Sequence, residues 1–201
     1  MRQQLKRRSQ GFTMIELVVT LLIIGIASAV AAPNLMRAMQ TYRLNSGAQQ
    51  VENALQAAKF ASVRANTTQW AYFDTTNNTT SVGAATTAPA TPLPPGIRFT
   101  TITGAAPTII STAVTNAATI GGQQSNSATV AVSFPQVTGQ TNFRQASFNS
   151  RGLPGPGVNP GTVHWVYLTN SQNELMAVTL TSAGSVQIWR WNSSTSTWST
   201  V

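Results

Sequence analysis

The sequence predicts an α+β protein: a long N-terminal helix, first transmembrane and then amphipathic, packed on a C-terminal antiparallel β domain. Three observations carry this. Residues 11–33 (GFTMIELVVTLLIIGIASAVAAP) form an apolar run of about 20 residues, long enough to cross a bilayer as one helix. Beyond it Leu44, Ala48, Val51, Leu55, Ala58 and Ser62 recur at alternating spacings of four and three, which places them on one helical face. From Gln69 onward, short runs of β-branched and aromatic residues are separated by Gly, Pro and Asn turns, and the resulting sheet can bury that face.

The chain opens on a basic head carrying Arg2, Lys6, Arg7 and Arg8. The positive-inside rule holds such a head on the cytoplasmic side, so the rest of the chain faces outward. Inside the apolar run stands one acid, Glu16. A carboxylate in a membrane span costs about 2.5–3.5 kcal/mol on insertion scales, which makes Glu16 a functional candidate. A secretory signal peptide is the competing reading, with Ala29-Val30-Ala31 as its cleavage site. Against it stand an apolar run longer than the usual signal core of about 7–15 residues, the acid within that run, and a helical pattern that continues past the supposed cut.

From Phe12 to Asn66 the helix would extend roughly 80 Å at 1.5 Å per residue. Pro33 removes a backbone donor and should bend or loosen it, and Gly47 is a second soft point. Its outer face carries Arg43, Gln49, Glu52, Lys59 and Arg64, so the apolar stripe reads as core against a sheet. Residues 69–74 (QWAYFD) read as the first strand. Residues 75–95 are mostly Thr, Ala, Asn, Ser and Pro, with too few apolar residues to bury a core, and read as an exposed low-complexity loop. Further strands are expected at 97–103, 128–134, 145–149, 163–169, 174–180 and 185–191, with 104–127 ambiguous and 155–161 a Pro/Gly loop. The Ser/Thr tail after Asn192 reads as frayed, with Trp198 its one anchor.

Gly11-Phe12-Thr13-Met14-Ile15-Glu16-Leu17, behind a basic head, resembles the class III leader junction of type IV pilins and type II secretion pseudopilins. The resemblance implies a prepilin peptidase that cuts between Gly11 and Phe12 and N-methylates Phe12. Glu16 matches that family's glutamate five residues into the mature chain, and Pro33 its helix-distorting proline. It implies a pilin-like fold, a single-pass inner-membrane anchor in contact with lipid, a periplasmic C-terminal domain, and assembly with other pilins or pseudopilins into a filament. Cutting at Gly11 would create a cationic amine at Phe12. Glu16 could pair with that amine in its own chain or in a neighbour, and the low dielectric makes such a pair far cheaper than a lone carboxylate. The domains are then a leader at 1–11, a transmembrane helix at 12–32, an amphipathic continuation at 33–66, and a periplasmic β-rich domain at 67–201 containing the loop 75–95.

Later stretches resemble the GspH/FimT branch of minor pseudopilins and minor pilins. These are 54–66 (ALQAAKFASVRAN), 148–154 (FNSRGLP) and 178–191, whose closing strand follows a Gly. Some members of that branch carry a basic Gly-Arg-x-Arg motif there, implicated in DNA binding. Here the matching Gly184, Ser185, Val186 and Gln187 lack both arginines. Arg190 between Trp189 and Trp191, with Arg151, is the remaining DNA-binding candidate, since aromatic rings can stack on bases. Simple strand alternation competes with it, the two Trp facing the core and Arg190 the solvent. Arg98 and Arg144 could extend such a patch.

Composition argues against catalysis. The chain has 201 residues, 12 Lys and Arg, 4 Asp and Glu, one His and no Cys, with a net charge of +8. Four of the positive charges sit in the leader, so the mature chain carries about +4, weak grounds for a nucleic-acid partner. His164 lies in a strand beside Trp165, and Glu16, Glu52, Asp74 and Glu174 form no paired constellation. No zinc-ligand set, phosphate-binding glycine loop or nucleophile elbow occurs, so no enzyme activity, metal or cofactor is expected.

Overall fold

The computed structural model describes residues 12–100, 131–155, 163–195 and 197–201. The expectations for 1–11, 101–130 and 156–162 lie outside them. Among the described residues one helix, α1 (Met14–Ala65), precedes nine strands: β1 (Gln69–Asp74), β2 (Thr79–Gly83), β3 (Ala90–Pro92), β4 (Arg98–Phe99), β5 (Phe143–Phe148), β6 (Val163–Thr169), β7 (Leu175–Thr181), β8 (Val186–Asn192) and β9 (Thr197–Thr200). The α+β architecture, a long helix on antiparallel sheets, is the one the sequence predicts.

The chain divides into two compact units, Met1–Met39 and Gln40–Val201. In the first, residues 12–39 are exposed throughout, although an 18-residue window of α1 reaches a mean hydropathy of 2.4. That helix is long and apolar enough to cross a membrane, and Pro33 sits within its assigned span.

In the second unit α1 buries Leu44, Gly47, Ala48, Val51, Ala54, Leu55, Ala58 and Ser62, the anticipated stripe with two added members. Gly47 is less a soft point than a place of close approach. A Cβ there would lie 3.0 Å from Ile97, so its lack of a side chain lets the helix meet the turn before β4. The stripe packs on Phe73, Phe148, Val166, Leu168, Val178 and Leu180. Phe73 stacks on Phe134 with centroids 5.6 Å apart and meets Phe99 edge-on at 6.1 Å. His164 is buried in this same packing, its ring stacked on Phe134 at 5.2 Å and Nδ1 3.1 Å from the Ser133 carbonyl.

The strands form two sheets where one was expected, ordered β3-β2-β1-β5 and β4-β6-β7-β8-β9. Residues 131–137 stitch them together. Ser133 N–H donates to the Trp165 carbonyl and Tyr167 N–H to that of Ala131, while Gln145 N–H donates to the Pro135 carbonyl and Val137 N–H to that of Phe143. A segment that serves β6 first and β5 next cannot run as one long strand, so the expected strand 128–134 reduces, in its described part, to the single bridge Val132–Val166.

The expected loop 75–95 also needs correction, since it contains β2 and β3 and buries Thr80 and Ser81. Polar satisfaction orders it together with two apolar anchors, Leu93 in the main core and Val82 packed against it. The Gln50 side-chain Nε2 lies 3.1 Å from Thr80 Oγ1 and from the Thr91 and Pro92 carbonyls, while the whole of β2 pairs with β1 from Trp70 to Asp74. The tail is likewise ordered as β9, where Trp198 packs on Trp165, Tyr167 and Trp191.

Burial pushes the Tyr72 phenol above its ordinary value of 10.0. The folded state thus holds that proton more tightly than the unfolded chain does. Stability is unaffected below about pH 10 and falls as pH rises from there toward the raised folded value. The urea midpoint should drop between pH 9 and 11 more steeply for the parent than for Tyr72→Phe, and equal slopes would exclude this assignment.

Candidate functional site

The start of α1 is built by three residues. Thr13 precedes the helix and caps it: Glu16 N–H donates to Thr13 Oγ1 at 3.3 Å, and Leu17 N–H donates to the Thr13 carbonyl at 3.2 Å. Glu16 is the third helical residue, so Thr13-Met14-Ile15-Glu16 has the spacing of a capping box. The sequence reading missed the part played by Thr13, although a Thr three residues before a Glu at the head of an apolar run is a signal for it. The Glu16 carboxylate, in the first turn, also complements the positive end of the helix dipole. Phe12 lies just outside the cap, four residues before Glu16. An amine on Phe12 would therefore stand at the same end of the helix as that carboxylate. Gly11, the other side of the cut, lies outside the described residues.

The DNA-binding candidates are not brought together. Trp189 and Trp191 lie on the sheet face opposite the main core, in a second cluster with Val163, Trp165, Tyr167 and Ala177. The small Ala177 on β7 makes room for rings from β6 and β8 to meet above it. Trp189 Nε1 donates to Thr179 Oγ1 at 3.1 Å, and its ring lies 6.3 Å from that of Trp165. Both indoles are committed to packing, not held open for bases. The expected orientation is reversed: Arg190 shares the face of Val186 and Ile188, at the margin of the main core, and is half-buried. It borders a surface hollow of about 290 Å³ that Glu174 also lines, a carboxylate that disfavours phosphate there. Glu174 Oε2 accepts hydrogen bonds from Thr41 Oγ1 at 2.9 Å and Asn170 Nδ2 at 2.7 Å. Arg151 sits at the other end of β8, in the turn whose Gly152 carbonyl is 3.4 Å from where a Gly184 Cβ would stand. The six residue steps from Gly184 to Arg190 span roughly 20 Å of extended chain.

That turn has a structural role of its own. Lys59 Nζ donates to the Gly184 carbonyl at 3.0 Å, and Gly152 rests on Lys59 and Val63. The helix end, the Phe148–Pro154 turn and the closing strand therefore meet at one lysine. Gly152 has φ +72°, and a Cβ there would come within 3.0 Å of Val63. Gly152→Ala should lower stability by about 1–2 kcal/mol through backbone strain, with more if Val63 cannot yield. A urea titration checks this, and an unchanged midpoint would refute the packing described.

Compared with known proteins, residues 6–32 match the family model of the prokaryotic N-terminal methylation motif. No curated protein and no solved structure matches the chain. The matched motif is the class III leader of type IV pilins, and it indicates a pilin-like protein that is processed by prepilin peptidase and assembles with other pilins.

Proposed function

We propose that the chain is a minor, non-catalytic subunit of a type II secretion pseudopilus, of the GspH/FimT kind, anchored in the inner membrane with its β domain in the periplasm. The observation that carries this is the capped head of α1. It sets the Glu16 carboxylate at the same end of the helix as the residue that prepilin peptidase would leave as the N-terminus, on an apolar helix with no cover of its own. In a filament, neighbouring helices supply that cover, and Glu16 pairs with the Phe12 amine of the chain below. One charge pair then seats each added subunit. The meeting of the helix end, the Phe148–Pro154 turn and the closing strand at Lys59 supports the GspH/FimT assignment, since the finer resemblance rests on those stretches. The packed indoles and the Glu174-lined hollow count against DNA uptake as the role.

The test is removal of the chain from its source cells. Loss of protein release into the medium, with pili and transformation unchanged, is the expected result; the reverse pattern would assign it to a type IV pilus instead. At the leader, Gly11→Ala should still be processed, whereas Gly11→Trp should accumulate as uncut precursor, because a bulky side chain blocks the site. Efficient cutting of Gly11→Trp, read by intact mass, would sink the leader assignment.

A further inference from the structure

The outward side of the last turns of α1 carries an apolar patch that is left exposed among the described residues. Phe60 is 68% exposed, Val63 51% and Leu153 44%. At 100° per residue Val63, Phe60 and Arg64 follow one another around the helix, and the turn bearing Arg151 and Leu153 rests against Val63 through Gly152. Two exposed guanidiniums thus bracket three exposed apolar side chains. Arg64 also complements the negative end of the helix, a sufficient structural reason for its charge. Phe60 and Val63 gain nothing comparable from facing water. Lys59, the neighbouring cation, is committed to the Gly184 carbonyl.

We infer that this patch docks an amphipathic segment of a different protein, one that presents apolar side chains flanked by carboxylates. Charge complementarity selects that partner. The whole chain has 4 side-chain carboxylates, three of them already hydrogen-bonded within the second unit, so a second copy has few to offer. Asp74 accepts from Thr76 N–H, Asn77 N–H and Asn77 Nδ2; Glu174 is held by Thr41 and Asn170; Glu52 accepts from Gln56; and Glu16 lies in the apolar run of the first unit. Among the described residues no carboxylate pairs with Arg64 or Arg151, so both remain available to an incoming acid. A nucleic acid fits less well, because Val63 and Leu153 have no ring on which a base could stack. The surface belongs to the second unit alone and needs no assumption about the leader.

The test uses the full chain in zwitterionic phosphatidylcholine nanodiscs, with empty nanodiscs as the blank. Fluorescence anisotropy is read with three labelled probes: a helical peptide with Leu and Phe on one face and Glu on the other, the same peptide with Lys for Glu, and oligothymidine. The acidic peptide should bind, and its Kd should rise at least tenfold in Phe60→Ser and again in Arg64→Glu/Arg151→Glu. Both variants alter exposed side chains, and an unchanged Trp emission spectrum certifies their fold. The inference is overturned if the Lys peptide binds as well, if oligothymidine binds in an Arg64- and Arg151-dependent way, or if the acidic peptide fails to bind or ignores the substitutions. Self-association of the nanodisc-held chain that Phe60→Ser abolishes would overturn it too.

Discussion

Glu16→Ala should leave leader processing intact and reduce incorporation into the filament by two orders of magnitude or more. The reason is an asymmetry of charge. In the proposed filament, removing the carboxylate would leave the Phe12 amine of a neighbouring chain buried among apolar helices without a partner, and an uncompensated buried charge costs about 3–5 kcal/mol. At about 1.4 kcal/mol per tenfold, that is a hundredfold or more in partition between membrane and filament. Glu16 also occupies the first turn of a helix capped by Thr13, a contribution of only about 0.3–1 kcal/mol. Glu16→Gln separates the two, because Gln serves in a capping box yet carries no charge. Both variants should fail equally in sheared-filament assays. Normal incorporation of either would remove the charge pair from the account.

Phe73→Ala should produce the largest loss of stability in the second unit, about 3–5 kcal/mol. Phe73 is fully buried on β1 and touches rings on two other segments, Phe99 and Phe134, so its removal opens a cavity that no single neighbour can refill. A domain of ordinary stability, about 5–15 kcal/mol, would lose a large part of it. Urea denaturation followed by Trp emission reads the change, since Trp165, Trp189, Trp191 and Trp198 form one cluster that disperses on unfolding. A loss below about 1 kcal/mol would mean that Phe73 is not central to the core.

Where the sequence carried a strong periodic signal, it matched the structure closely. Gln69–Asp74 and Val163–Thr169 stand at the expected bounds because their residues are apolar or aromatic and end at clear turn residues. The buried stripe of α1 was legible for the same reason. Thr79–Gly83 was not, because Thr and Ser give no apolar alternation and are held by Gln50 across about 30 positions, a contact no local window contains. The division into two sheets was hidden too, since it depends on residues 131–137 serving β6 and then β5. At the site, Glu16 announced itself as an acid in an apolar run, and Thr13 was readable from its spacing but went unread. The orientation of Arg190 followed from strand alternation only up to a choice of face. The face with the indoles is covered by Trp198, on a strand that its Ser/Thr composition disguises as a frayed tail.

Every step proposed for assembly depends on a cut between Gly11 and Phe12 that leaves a methylated amine near Glu16. Intact and N-terminal peptide mass of the chain isolated from its source membrane reads that cut. The expected chain begins at Phe12 and carries one added methyl group on the α-amine. A chain beginning near Ala32, as a signal peptidase would leave it, or one retaining the basic head, would rule the cut out.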